Sequence, residues 1–179
     1  MIELLAQKIV KWTIKYTDEN QYSESHMMFF MLHLLTNTGV IVVSIFLGIA
    51  SGELSGMFTA IISLAVLRRF SGGFHLKSPE GCILVTVIAA YGATIFSVGV
   101  LLEWLFHLVT LGIIFLFAPN PSNDLVKGIE SHKVRYKFIS VLLVVGSMLW
   151  GNSVIINIFM FQAITIIPFT SNTKGGEKI

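Results

Sequence analysis

The chain has 179 residues, with 54% hydrophobic and only 12% charged residues, twelve basic and ten acidic; that charged share is about half of a soluble domain's. So few charges, set apart from long apolar runs, exclude an ordinary soluble fold and predict an integral membrane protein. A net charge of +2 says little about partners, but no basic stretch is interleaved with aromatics, so no nucleic-acid partner is expected, and a single cysteine excludes an intrachain disulfide or a CxxC metal site.

Residues 1–17 open with IELLAQKIVKWTIKY, in which Ile2, Leu5, Ile9, Trp12 and Tyr16 recur at steps of three and four, with Lys8, Lys11 and Lys15 on another face. That pattern predicts a basic amphipathic helix suited to an anionic membrane interface, or one packed on the rest of the protein. The first long apolar run starts only near Met27, after a segment of mixed charge, and no small-residue cleavage pattern follows it, which argues against a cleavable signal peptide.

Six apolar segments follow, at 27–50, 55–67, 82–102, 104–118, 138–150 and 153–169. Several fall short of the roughly 20 residues of a full span, so some are expected to be short or re-entrant. The expected fold class is an all-α integral membrane protein: six apolar helices plus the amphipathic interfacial helix, in one membrane domain over 27–169. All twelve basic residues lie before the first segment, at 68–81, at 119–137, or in the tail at 170–179, whereas the joins at Glu53, Glu103 and after Trp150 carry none. The positive-inside rule therefore puts both termini and the two basic loops in the cytoplasm. Six crossings satisfy it, and so do four crossings with two re-entrant pieces.

The loop RRFSGGFHLKSPEGC, at 68–82, carries the chemistry. A lone cysteine in an apolar protein is more often packing than nucleophile. Here, however, Ser78 is a good N-cap, Pro79 suits the first helical position and Glu80 suits the first turn. Cys82 is thus expected in the opening turn of a helix, where backbone N–H groups favour a thiolate or stabilise an oxyanion. His75 lies seven residues earlier, about 10.5 Å along a continuous helix, so a reversal at Gly72-Gly73 or Pro79-Glu80 is needed if it is to reach the thiol. As alternatives, His75 is a solvated loop histidine, and Arg68 and Arg69 are snorkelling anchors rather than, with Lys77, a grip on substrate carboxylates or carbonyls. Glu80, Ser78 and Asn123 are candidates for a third catalytic group. His26, His33 and His107 have no matched ligands nearby, so neither a metal site nor a cofactor is expected.

Arg68, Gly72-Gly73, Phe74-His75 and Cys82, at this spacing, resemble the signature of the accessory gene regulator B (AgrB) family of Gram-positive bacteria. The second basic loop, APNPSNDLVKGIESHKVRYK, is a looser match, and Leu76 stands where the family is expected to carry alanine. The resemblance implies a cysteine endopeptidase of the bacterial plasma membrane. Such an enzyme removes the acidic C-terminal tail of a quorum-sensing precursor peptide, holds the remainder as a thioester, and supports closure of a thiolactone or lactone ring. By position it implies Cys82 as nucleophile, His75 as general base, and Arg68 and Gly73 as required residues. It implies the precursor peptide and the bilayer as partners, and a homodimer. The contrasting readings are a small non-enzymatic transporter or peptide exporter, in which Cys82 only packs, and an acyltransferase using the same dyad on another substrate.

Overall fold

A computed structural model of the chain describes residues 1–16, 23–73, 76, 78–120 and 132–167, and every regular element among them is a helix. In chain order these are α1 (Ile2–Tyr16), α2 (Glu24–Ser51), α3 (Leu54–Ser71), α4 (Pro79–Ile95), α5 (Val100–Phe117), α6 (Lys133–Trp150) and α7 (Ser153–Ile166). The all-α membrane class read from composition is therefore the fold observed. Helices α2, α3 and α5 are long and apolar enough to cross a membrane, while α4 and α7 are shorter apolar helices. The 14 residues of α7 rise only about 21 Å against a hydrocarbon core of about 30 Å.

Helices α3 and α7 form the centre of the bundle. The first packs against α2, α4, α6 and α7, the second against α3, α4, α5 and α6. Accordingly α7 is buried along most of its length, through Ile156, Ile158, Phe159, Gln162, Ala163 and Ile166. Large apolar side chains on the outer helices point away from this core, among them Phe46, Leu108, Phe115, Leu142 and Leu149. In water such a surface would aggregate; in lipid it is the solvated face. Some buried hydroxyls are satisfied within their own helices, as where Ser140 Oγ donates to the Tyr136 carbonyl at 2.9 Å and Ser147 Oγ to the Val144 carbonyl at 2.7 Å.

Two hairpin turns lie where the sequence places them. Gly52 and Gly151 end α2 and α6 in the left-handed region, and Asn152 caps α7 by accepting from the Val154 N–H at 2.9 Å. The third does not. The join expected at Glu103 lies at 96–99, and Glu103 sits in the first turn of α5, where it accepts a hydrogen bond from Ser153 Oγ of α7. The acid that looks like a loop marker is an N-terminal helix residue favoured by the dipole. The actual turn, Phe96-Ser97-Val98-Gly99, offers only a weak polar signal inside an apolar run. Asn157 fastens that turn to α7 by donating to the Ala93 and Phe96 carbonyls at 3.2 and 2.8 Å.

The N-terminal helix packs on α2 and α4 through Ala6 and Val10, both buried. The stripe of Leu5, Trp12 and Tyr16 lies about a third of a turn away and stays exposed. The periodicity is real, but the small residues face the protein and the large amphipathic ones face outward, as an interfacial helix requires.

Candidate active site at the start of α4

Helix α3 ends at the signature loop. Gly72 takes φ 73 and its N–H donates to the Arg68 carbonyl at 3.0 Å; Gly73 follows at φ 136. Both values suit glycine and turn the chain sharply out of the helix. The turn is pinned: the Gly73 N–H donates to the Asn120 carbonyl at 3.2 Å, and the Asn120 N–H to the Ser71 carbonyl at 3.0 Å. A Cβ on Gly72 would lie 2.3 Å from the Asn120 oxygen, so no larger residue fits without moving backbone.

Helix α4 starts as its SPEGC sequence predicts. Ser78 is the N-cap, its hydroxyl accepting from the Gly81 N–H at 3.2 Å, and Pro79 is the first helical residue. Cys82 is half-buried in the opening turn, and its own N–H donates to the Ser78 carbonyl at 3.1 Å. This corrects one expectation. The N–H groups of Gly81 and Cys82 are already engaged by the cap and the first helical bond, so they are not the free donors that an oxyanion would need.

Glu80 is also engaged elsewhere. Its carboxylate accepts from the Met1 ammonium at 2.8 Å and from the Ile2 N–H at 2.9 Å, tying α1 to the polar end of α4. Those two donors hold its carboxyl down to about 2. It faces α1, not the thiol.

Cys82 instead opens onto a cavity of about 440 Å³ between α2, α3 and α4, within the size range of small-ligand sites. Its walls are mostly apolar, from Phe29, Leu32, Val40, Ile61 and Leu64, and its polar groups are His33, Thr36, Asn37, Arg68 and Thr86. Arg68 is half-buried and close enough to interact electrostatically with both Cys82 and His33. The His33 ring stands edge-on to Phe29 at 4.3 Å. Helices α2 and α4 approach at Gly39, where a Cβ would lie 2.5 Å from Ile83 Cδ1 and the isoleucine would have to shift.

The structure thus brings Cys82 and Arg68 to one cavity, makes Ser78 a cap, and leaves Arg69 on the exposed side of α3. Gly73 is buried in the turn. His75, Lys77 and Asn123 lie outside the described residues, although Leu76, covalently next to His75, lines the cavity. Sequence reasoning missed α2's contribution of His33, Thr36 and Asn37. Their spacing along one face of an apolar helix was the available signal, and it reads equally as ordinary polar relief in a long span. Asn120 and Gln162, which hold the Gly-Gly turn, were also missed.

A helical membrane protein with one cysteine facing a largely apolar cavity beside a half-buried guanidinium is the class these features define. Residues 2–170 match the family model of accessory gene regulator B, and the chain belongs to that family. No curated protein and no solved structure matches it. The family takes part in accessory gene regulator quorum-sensing peptide processing and acts on the AgrD precursor peptide.

Proposed function

We propose that the chain is a cysteine endopeptidase that cuts the C-terminal tail from its precursor peptide through a thioester on Cys82. The observation that carries this reading is Cys82 in the capped first turn of α4, lining a substrate-sized cavity beside Arg68. His75 takes the thiol proton, and the sulfur attacks the scissile carbonyl. The oxyanion that forms is stabilised by Arg68, since the Gly81 and Cys82 N–H groups are occupied. The amide C–N bond then breaks, and His75 returns its proton to the leaving amine. A thiol or hydroxyl of the retained peptide attacks the thioester, closes a thiolactone or lactone, and regenerates the Cys82 thiol.

The apolar cavity takes side chains on the acyl side of the scissile bond. A site partly shielded from water favours capture of the thioester by the tethered nucleophile over hydrolysis. Interface docking completes the scheme: the outward stripe of α1 and the basic groups on the same side attract an amphipathic leader and an acidic tail. Replacing the leader by a soluble tag is expected to raise KM; unchanged processing would remove the docking step.

The deciding variants are Cys82→Ala and His75→Ala. Each is expected to lower precursor cleavage by more than about 10³-fold while the protein stays at normal level in the membrane. Cys82→Ser retains at best weak cleavage, because a serine hydroxyl is poorly activated by this arrangement. Normal cleavage by Cys82→Ala would remove Cys82 as the nucleophile; no cleavage by the wild-type protein, with its function untouched by Cys82→Ala or thiol reagents, would favour the non-enzymatic reading.

A further inference from the structure

The charges and nucleophiles near the cavity have roles in the scheme above, but one fully buried polar side chain does not. Gln162 is 0% exposed in the second half of α7, one of the two helices at the centre of the bundle. An amide in that position is costly unless its hydrogen bonds are made. Its Nε2 donates to the Gly72 carbonyl at 2.6 Å and to Ser71 Oγ at 3.2 Å. Thr165 Oγ1 donates to the Gln162 backbone carbonyl at 2.7 Å and lies 3.3 Å from Oε1, which orients the amide. Asn120 grips the same segment from the other side. Its backbone pairs with Ser71 and Gly73, and its Nδ2 donates to the Ile166 carbonyl at 2.8 Å.

These bonds converge on three residues, Ser71, Gly72 and Gly73. Packing of α3 on α7 is supplied by apolar neighbours such as Leu67, Ile158, Phe159 and Ile166, and needs no amide. What the amide adds is a fixed exit for the chain from α3, between Arg68 one turn upstream and His75 two residues downstream. A carbonyl held at 2.6 Å and a glycine pressed onto the Asn120 backbone leave that exit little freedom.

We infer that Gln162 and Asn120 are positioning residues, which fix the 71–73 turn and thereby the approach of His75 to Cys82. The inference rests on the assignment of Cys82 as nucleophile and His75 as base. A displacement of the turn by about an ångström is enough to cost about 10²-fold in rate. Gln162→Met keeps the volume and removes the donor.

The test uses the full chain in lipid nanodiscs with the precursor peptide, reading kcat, KM and the pH dependence of Cys82 alkylation by iodoacetamide. Gln162→Met is expected to lower kcat about 10²-fold, with KM changed less than about threefold. Its alkylation midpoint should move to that of His75→Ala. Gln162→Glu, whose buried carboxyl stays protonated and still donates one O–H, should recover part of the rate. The inference is overturned if Gln162→Met keeps wild-type kcat and midpoint. It is also overturned if that variant loses folded protein while kcat per folded molecule holds, since the role is then structural only. Should Gln162→Met fail to accumulate, Thr165→Val and Asn120→Ala carry the same readouts, with smaller losses expected and wild-type values overturning the inference. Cys82→Ala run alongside separates the two levels: if it still cleaves, the assignment of the nucleophile fails, whatever Gln162 does.

Discussion

A thiolate formed at Cys82 has the Arg68 guanidinium within electrostatic range, while the Gly81 and Cys82 N–H groups of its own helix turn are spent on Ser78. In the proposed mechanism, the charge available to an oxyanion therefore comes from another helix. Arg68→Gln is expected to lower kcat by about 10²-fold, the usual loss for one oxyanion donor. Arg68→Lys should restore only part of it, because a point charge does not reproduce the guanidinium fork. Steady-state kinetics on protein normalised to membrane content checks both. The cavity makes a separate prediction. Ala65 lines it, and Ala65→Phe should reduce kcat/KM for the peptide while iodoacetamide still alkylates Cys82 at close to the wild-type rate. At this scale the cap, the turn glycines and the cysteine were legible, because each is a local preference written in adjacent residues. Arg68's proximity to the thiol was not, since it depends on how two helices meet. Nor was Glu80's partner, which comes from the far end of the sequence.

Among the elements, the exit of α3 is the least tolerant part of the fold. Gly72→Ala must relieve a 2.3 Å clash with backbone at a positive φ. It is expected to cost about 1–3 kcal/mol and to abolish cleavage. Gly146 has the opposite surroundings, with nothing within 4 Å of the place a Cβ would take. Gly146→Ala should therefore be neutral or gain up to about 1 kcal/mol of helix propensity. Thermal unfolding in detergent distinguishes the pair. Helix α1 gives a pH prediction. Glu80, with its carboxyl held down to about 2 by the Met1 ammonium and the Ile2 N–H, binds α1 fully above the ordinary carboxylate range. Its folded pKa is depressed, so the contact weakens only as pH falls toward that value. Tryptic cleavage at Lys8, Lys11 and Lys15 at about pH 6 should thus be slow in the wild-type protein and faster in Glu80→Gln. Helix existence was legible from apolar runs, but the α4–α5 boundary was not. A turn made of Phe, Ser, Val and Gly barely interrupts hydrophobicity, whereas Glu103 interrupts it conspicuously and belongs inside a helix.

For the whole molecule, the outward apolar surface and the central α3–α7 pair describe a protein built for lipid. Composition was enough to show this, because about a quarter or more of a soluble surface would have to be charged. The arrangement of helices was beyond reach of periodicity, since in a membrane the lipid-facing and core-facing sides are both apolar. The distribution of basic residues predicts a sidedness, and the chain carries its own probe of it. Cys82 is the sole cysteine, so a membrane-impermeant maleimide is expected to label inverted vesicles and not intact cells. The most direct measurement of the central claim is intact-protein mass spectrometry after mixing purified protein with its precursor peptide. The account predicts an adduct equal to the retained peptide fragment, mapped to Cys82, abolished by Cys82→Ala and discharged as a cyclic product. Tail removal without any adduct, at an unchanged rate in Cys82→Ala, would contradict it.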